Sequence, residues 1–318
     1  MMKSDMSYCR KTAVEQVISD FLFHCQYEKN LNEKTIYAYR SDLYMFNRYI
    51  HELYPSVVFE QVSKDMLKTY LQHISTYKPK TVKRKLASLK ALFNYYDFEH
   101  DDFLNPFRKL RIRFKEPYVL PTVMTCNEVK EILKYLYKLR ADNPDTGGYA
   151  YKAQTRDIAV VELLFATGIR VSELCELSCA VDLKQATIKV FGKGSKERVI
   201  QICSVEVLKI LRQYQRLFAP SKCFFINRLG NRLSSQSVRL LIKRCREEIG
   251  IGKKITPHTF RHTFATLLLE EDVDIKYIQN LLGHSSITTT QIYTHVNMNK
   301  QKKILSSKHP RKKMEMEE

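Results

Sequence analysis

Apolar residues recur at helical spacing along the first hundred residues of the chain. One stripe runs from Val14 to Cys25 and a second from Ile36 to Leu53. Positions spaced i, i+3, i+4 and i+7 share one face of an α-helix, so each stripe predicts an amphipathic helix. A third helix is predicted from Ser63 to about Thr76, and a fourth from Thr81 to Tyr96. Four helices with short connections indicate a small helical bundle.

The fourth predicted helix combines an apolar stripe with a strongly basic remainder. Its inward positions include Val82, Leu86 and Leu89. A basic helix face is either solvated or bound to the phosphates of a nucleic acid, and both interpretations stay open here. The candidate DNA-binding residues in and just before this helix are Lys80, Lys83, Arg84, Lys85 and Lys90.

The helical period is lost between about residues 101 and 125, where three prolines interrupt any helix and basic residues cluster. We predict a linker at 105–125, between a helical domain at 1–104 and a second domain at 126–318. Arg111 and Arg113 in the linker are further candidates for binding DNA. The alternative is that this segment is only an exposed loop.

In the second domain, the spacing of apolar residues changes from helical to strand-like near the middle. Helices are predicted at 127–139 and in a buried segment that ends at Gly168. Two β-prone runs follow at 186–191 and 198–202, joined by the glycine-rich turn Gly192-Lys-Gly-Ser195, which indicates a hairpin. The remainder returns to helical periodicity. The predicted fold class is therefore mainly α with a small antiparallel β-sheet: an N-terminal helical bundle followed by an α+β domain.

Composition narrows the choice of partner. Lys and Arg number 53 against 34 Asp and Glu, which gives a formal charge of +19 and indicates a polyanionic partner. Charge alone does not separate an enzyme from a ribosomal, chromatin or membrane-surface protein. The eight cysteines form no C-x-x-C pair and are predicted to be reduced core residues. Without a signal-peptide pattern or a run of 18 apolar residues, we expect a soluble, cytoplasmic chain with no membrane partner.

Four separated segments are polar in ways that packing does not require. They hold two arginines, Arg170 and Arg261, that could bind the non-bridging oxygens of a phosphodiester through their planar, fixed-charge forks. His258 lies three residues before Arg261 and so shares its helix face. Taken singly, each of these residues also has a purely structural interpretation.

The same segments supply groups for proton and phosphoryl transfer. Tyr293 is the candidate nucleophile, and a phenol of ordinary pKa about 10 must lose its proton as it attacks. His258 and His284 are the candidate proton acceptors. Lys193, at the predicted hairpin turn, could return a proton to the leaving 5′ oxygen.

These motifs resemble the tyrosine recombinase (phage integrase) family, and most closely its simple Xer-like members. The resemblance rests on T-G-I-R-V-S-E-L around Arg170, F-G-K-G-S-K-E-R around Lys193, H-T-F-R-H-T-F-A-T around His258 and Arg261, and L-L-G-H-S-S-I-T-T-T-Q-I-Y-T-H around His284 and Tyr293. All six positions of the family's catalytic set are filled in order. The resemblance spans nearly the whole chain.

The resemblance carries expectations for structure and chemistry. It implies a SAM-like core-binding domain before a catalytic domain, the two forming a C-shaped clamp on double-stranded DNA. It also implies a 3′-phosphotyrosine intermediate, a homotetramer on two recombination sites, and neither metal nor cofactor. Glu173 matches a position that is often acidic in the family and would support Arg170.

Several alternatives stay open. A type IB topoisomerase shares the chemistry but exchanges no strands, and a catalytically idle DNA-binding protein could keep the fold. A metallohydrolase is suggested only by His258 and His262 at i and i+4, and Thr259 stands where such enzymes need glutamate. The loop at 142–151 is longer than in Xer proteins, which favours a mobile-element integrase or DNA invertase at least as much as chromosome-dimer resolution. The sequence does not distinguish integration from excision, inversion or dimer resolution.

Overall fold

The chain forms two compact units, Met1–Tyr118 and Val119–Glu318, in a computed structural model that describes residues 12–112, 121–178, 181–191, 197–220 and 222–283. Each unit has its own buried apolar core. Within these described residues the elements are helices apart from one two-stranded antiparallel sheet, which confirms the predicted fold class. The finer domain limits of 1–104 and 126–318, with a linker between them, stay a prediction.

Residues 12–112 of the N-terminal unit form a bundle of four α-helices, as the apolar stripes predict. Its helices are α1 (Val14–Phe23), continued by a short π-helical segment, α2 (Glu33–Leu53), α3 (Lys64–Ile74) and α4 (Pro79–Glu99). Side chains fix where the helices begin: Asn32 accepts a hydrogen bond from the Lys34 amide at 2.9 Å, and Ser63 accepts one from the Met66 amide at 3.3 Å. These caps explain why α2 and α3 start where they do.

A charged cluster is buried between α2 and α4. The Asp42 carboxylate is fully buried and accepts hydrogen bonds from Lys85 Nζ at 3.2 Å and from Ser88 Oγ at 2.9 Å. Arg84, which is half-exposed, also pairs with Asp42. Lys85 is only 3% exposed. The prediction that Lys85 presents its charge to DNA is therefore corrected, because its ammonium group is buried against Asp42.

Removal of the Asp42 carboxylate should strongly destabilise the N-terminal unit. In Asp42→Ala, the Lys85 ammonium stays buried without its counter-charge, which costs about 3–5 kcal/mol in comparable pairs. Urea-induced unfolding followed by circular dichroism measures the change in the free energy of unfolding. The control is Asp65→Ala, which breaks the exposed Asp65–Lys68 pair and should leave the midpoint nearly unchanged. Equal midpoints for the two variants would contradict the prediction.

The second unit contains seven α-helices in its described segments and one hairpin. In β1 and β2, Ile188 lies opposite Ile200 and Val190 opposite Arg198, which confirms the predicted strands. The turn at 192–196 lies outside the described residues. The elements are α5 (Cys126–Ala141), α6 (Tyr149–Thr167), α7 (Val171–Cys175), β1 (Thr187–Phe191), β2 (Glu197–Gln201), α8 (Val205–Phe218), α9 (Ser235–Ile249), α10 (Pro257–Glu270) and α11 (Ile275–Leu282).

Helix α6 is the centre of this unit, and its end brings the site together. Residues 157–164 are all buried, because α5, α8 and α10 pack around this helix. It ends at Gly168, as predicted, with φ +59°. A Cβ atom on Gly168 would lie 2.6 Å from Phe264 Cδ1 and 2.8 Å from Leu282 Cδ2. Only glycine therefore allows α10 and α11 to approach the end of α6 this closely.

The cysteines follow the prediction in part. Cys25, Cys175 and Cys245 are buried, whereas Cys126 and Cys203 are exposed because they lie in the first turn of α5 and just after β2. The cysteines in the described segments are free thiols. Across those same segments, no helix combines the length and the apolar character needed to cross a bilayer.

Candidate active site

Arg170 and Glu173 form the first part of the candidate site, at the start of α7. The Arg170 amide donates to Glu173 Oε2 at 3.0 Å, and Arg170 Nη1 donates to Glu173 Oε1 at 2.7 Å. Burial alone would raise the pKa of the Glu173 carboxyl, but hydrogen bonds from Arg198 and Arg170 outweigh it and lower the pKa below its ordinary value. Glu173 is therefore a buried anion that holds Arg170 in place.

Arg198, in β2, completes this ion-pair cluster and was not among the predicted site residues. Its Nη1 and Nη2 donate to the two carboxylate oxygens of Glu173 at 3.0 and 2.8 Å. This is the bidentate fork that gives Arg–carboxylate pairs their defined geometry. One buried carboxylate thus serves two arginines that lie in different elements.

Arg261 comes from α10, whose start follows the predicted capping pattern. Thr256 caps the helix by accepting from the Thr259 amide at 3.3 Å, and Pro257 is its first residue. The Arg261 side chain is buried, since the residue is 4% exposed. It donates to Gly168 O at 2.9 Å and to Leu282 O at 2.7 Å. Arg261 thereby ties together the ends of α6 and α11.

Three arginines meet at the C-terminal end of α11. Arg198 Nε donates to Leu281 O at 3.2 Å, Arg261 donates to Leu282 O at 2.7 Å, and Arg170 Nη2 donates to Gly283 O at 2.9 Å. The last carbonyls of a helix have no partner within the helix and carry the negative end of its dipole. Successive carbonyls of one helix end are thus each bound by an arginine from a different segment.

His258 lies on α10, one turn before Arg261. The residue is exposed to solvent at the surface of the helix but is partly surrounded by protein. This burial, and after it the positive charges of Arg261, Arg239 and Arg170, lower the pKa of His258 below its ordinary value. The ring is therefore neutral at pH 7 and can accept a proton. Arg239, on α9, is a third basic neighbour of His258, and the sequence motifs did not indicate it.

His262 lies one further turn along α10. Burial, and then the proximity of His258 and Arg261, lower the pKa of His262 to about 4. In the part of the chain that the structure describes, no third histidine, cysteine or carboxylate joins this pair to form a metal-ligand group.

The structure brings some of the predicted catalytic residues together and leaves others undescribed. Arg170 and Arg261 share the end of α11, Glu173 binds Arg170, and the charges of both arginines reach His258. The other three predicted catalytic residues, Lys193, His284 and Tyr293, lie outside the described residues. Their assignment to the site stays a prediction.

The predicted DNA-binding side chains of the N-terminal unit are distributed unevenly. Lys80, Lys83 and Lys90 are exposed, unlike Lys85. Arg111 is exposed and lines a groove of about 660 Å³, whereas Arg113 lies outside the described residues. The other basic residues of this groove, which were not among the predicted DNA-binding residues, are Lys64, Lys68, Arg108 and Lys109.

Comparison with known proteins identifies the family. The phage integrase family model matches residues 122–300, and the phage integrase N-terminal SAM-like domain model matches residues 18–98. A tyrosine recombinase from Agathobacter rectalis is 47% identical over 300 residues, which cover 93% of this chain and 96% of that protein. The chain therefore belongs to the phage integrase family of tyrosine recombinases, enzymes of DNA strand transfer, and the resemblance seen in the motifs is confirmed.

Solved structures share the fold at lower identity. The XerH site-specific recombinase bound to its palindromic difH substrate matches with a TM-score of 0.72 and 22% identity, covering 91% of this chain and 84% of that one. A lambda integrase tetramer bound to a Holliday junction matches with a TM-score of 0.67 and 20% identity, covering 90% and 78%. These likenesses establish a common fold.

Proposed function

We propose that this chain is a site-specific DNA recombinase that cuts and rejoins double-stranded DNA through a covalent 3′-phosphotyrosine intermediate. The observation that carries the proposal is the convergence of Arg170 and Arg261 on the end of α11, beside a neutral His258 and directly before His284. Two fixed positive charges next to a proton acceptor match the needs of phosphoryl transfer.

In the proposed reaction, Arg170 and Arg261 stabilise the negative charge that develops on the non-bridging oxygens of the scissile phosphate. Their positions are set before DNA binds, because Glu173 and the carbonyls of α11 already hold them. Electrostatic stabilisation is most effective when the charged groups need no rearrangement during the reaction.

Proton transfer completes the cycle. The Tyr293 hydroxyl gives its proton to a histidine, His258 or His284, as its oxygen attacks phosphorus. The bond from phosphorus to the 5′ oxygen breaks, and Lys193 supplies the proton of the new 5′ hydroxyl. Attack by a 5′ hydroxyl on the phosphotyrosine reverses these steps and rejoins the DNA. Each step exchanges one phosphodiester for another, so no high-energy cofactor is consumed.

The pH dependence of cleavage should reflect the lowered pKa of His258. A base must be neutral to accept a proton, and a histidine with a lowered pKa stays neutral to lower pH than one of ordinary pKa, about 6.5. The acidic decline in single-turnover cleavage should therefore have its midpoint below pH 6.5. A decline centred at or above pH 6.5 would contradict this role.

Arg239 offers a matched test of the electrostatic cause. Arg239→Ala removes a positive charge that disfavours the protonated ring, so the acidic limb of the profile should move to higher pH. Arg246→Ala changes the same helix at a residue that pairs with Glu247, and it should leave the limb in place. Identical pH profiles of cleavage for the two variants would show that Arg239 does not influence the pKa of His258.

DNA binding and assembly belong to the same proposal. The exposed Lys80, Lys83 and Lys90, together with the basic groove at Arg111, would bind the DNA backbone through its phosphates. A homotetramer on two sites is supported by the lambda integrase of the same fold, which was solved as a tetramer on a Holliday junction. A cytoplasmic location agrees with an enzyme that must reach DNA.

One experiment separates the proposal from its alternatives. The protein is incubated with DNA from around its own gene, denaturant-resistant complexes are captured, and the attached DNA ends are sequenced to define the site. Two copies of that site on one plasmid should then give recombinant products. Relaxation without exchange would favour a type IB topoisomerase, and binding without covalent capture would favour an idle DNA-binding protein.

A further inference from the structure

Arg198 makes a set of contacts that the proposed chemistry does not use. Its guanidinium binds both carboxylate oxygens of Glu173, and its Nε binds Leu281 O. The side chain is 15% exposed, so it is largely covered. All three of its guanidinium nitrogens already donate to these protein oxygens, which leaves Arg198 poorly placed to be the main ligand of a phosphate.

The partners of Arg198 both lead to the candidate site. Glu173 binds the side chain and the backbone amide of Arg170. Leu281 belongs to the last turn of α11, and the next two carbonyls of that helix end are bound by Arg261 and Arg170. Arg198 thus connects strand β2 to Glu173, which binds Arg170, and to the end of α11, which directly precedes His284.

The end of α11 is shaped to receive Arg198. Gly283 ends the helix with φ +64°, a conformation that disfavours side chains. A Cβ atom there would lie 2.9 Å from Arg198 Nη1 and 3.1 Å from its Cζ. The backbone conformation therefore favours glycine at this position, and a side chain there would displace the Arg198 guanidinium.

We infer that Arg198 is a positioning residue of the recombination reaction, which fixes Glu173, and through it Arg170, against the C-terminal end of α11. It stabilises the placement of the phosphate-binding arginines without touching the phosphate. This inference rests on the proposed function. If the wild-type protein forms no covalent adduct with any site, the proposed function fails and the role of Arg198 is not the cause.

The test is single-turnover cleavage of a nicked site that traps the covalent adduct. Arg198→Ala should bind the site with an affinity within about threefold of wild type but cleave it roughly 30-fold or more slowly. Arg198→Lys should also be slow, because one ammonium cannot form the bidentate pair. Arg212→Ala is the matched control, since Arg212 likewise donates to a backbone carbonyl, Leu183 O, at 2.8 Å in the same unit. It should cleave at the wild-type rate.

Two further measurements distinguish positioning from other roles. An arginine that contacts phosphate contributes about one unit to the slope of log affinity against log salt, so the slope for Arg198→Ala should equal that of wild type. A scissile methylphosphonate, which lacks one negative oxygen, depends less on correctly placed guanidinium groups. The cleavage defect of Arg198→Ala should therefore shrink about tenfold on this substrate.

Three results would overturn the inference. A salt slope reduced by one unit would make Arg198 a phosphate ligand. Equal defects on both substrates, with a lowered melting temperature, would make its role merely structural. Wild-type cleavage rates would remove it from the reaction. If Arg198→Ala does not fold, Arg198→Lys retains the charge and is carried through the same measurements.

Discussion

Replacement of Tyr293 with phenylalanine should abolish the covalent protein–DNA adduct while leaving site binding intact. The substitution removes only the hydroxyl oxygen, so the expected loss of cleavage is roughly 10³-fold or more. The measurement is a denaturing gel of a nicked trapping substrate, with a native binding gel of the same protein beside it. The adduct band should be missing and the bound band present.

A matched control for this variant is Tyr277→Phe. Tyr277 lies on α11, the helix whose end meets Arg170 and Arg261, and it is 69% exposed. Loss of its hydroxyl should leave the adduct unchanged. Persistence of the adduct in Tyr293→Phe, or its loss in Tyr277→Phe, would mean that the nucleophile has been assigned wrongly.

Replacement of Lys193 with alanine should slow cleavage of ordinary DNA by roughly 10²–10⁴-fold, the range expected for a general acid. A 5′-bridging sulfur leaves as a thiolate, because a thiol has a pKa of only about 8.5 and needs no proton donor. The variant should therefore regain most of the lost rate on the sulfur-substituted site. Single-turnover cleavage of the two substrates in parallel measures the difference.

Lys196 provides the control for Lys193, because the predicted glycine-rich turn ends just before it. Lys196→Ala should show no selective rescue by sulfur. If Lys193→Ala is equally impaired on both substrates, Lys193 acts as a phosphate ligand instead of an acid. Rescue confined to Lys196→Ala would transfer the role of general acid to that residue.

The local sequence pattern was sufficient to predict the ends of the helices that carry the candidate site. Gly168 at the end of α6, and Thr256 with Pro257 at the start of α10, follow from rules that act within a few residues. The i, i+3 spacing put His258 and Arg261 one turn apart on α10, and family resemblance supplied their chemistry. Such short-range features can be predicted from the sequence because they depend only on residues a few positions apart.

The role of Arg198 could not be predicted because its contacts are distant in sequence. It lies 25 residues from Glu173 and 83 from Leu281. It is a charged residue at the start of the predicted strand 198–202, and nothing in the neighbouring sequence indicates its buried partners. Only the folded chain, in which β2 and α11 flank Glu173, gives this arginine its partners.

The wrong prediction that Lys85 binds DNA could have been avoided from the sequence. Lys85 lies three residues after Val82 and four before Leu89, so it occupies the apolar stripe of α4. Asp42 lies four residues before Phe46, on the buried side of α2. A lysine and an aspartate at two buried helix positions predict a buried ion pair, since neither charge is tolerated alone. Periodicity was the better guide here than residue type.

The contact of Arg170 with both Glu173 and Gly283 O has a thermodynamic consequence. If a bound phosphate changes how strongly Arg170 holds the end of α11, then by reciprocity the end of α11 changes the affinity of Arg170 for that phosphate by the same factor. The binding of DNA and the conformational equilibrium of the segment that follows α11 are then thermodynamically coupled. A change engineered after Gly283 should therefore register as a change in DNA affinity, even where it makes no contact with DNA.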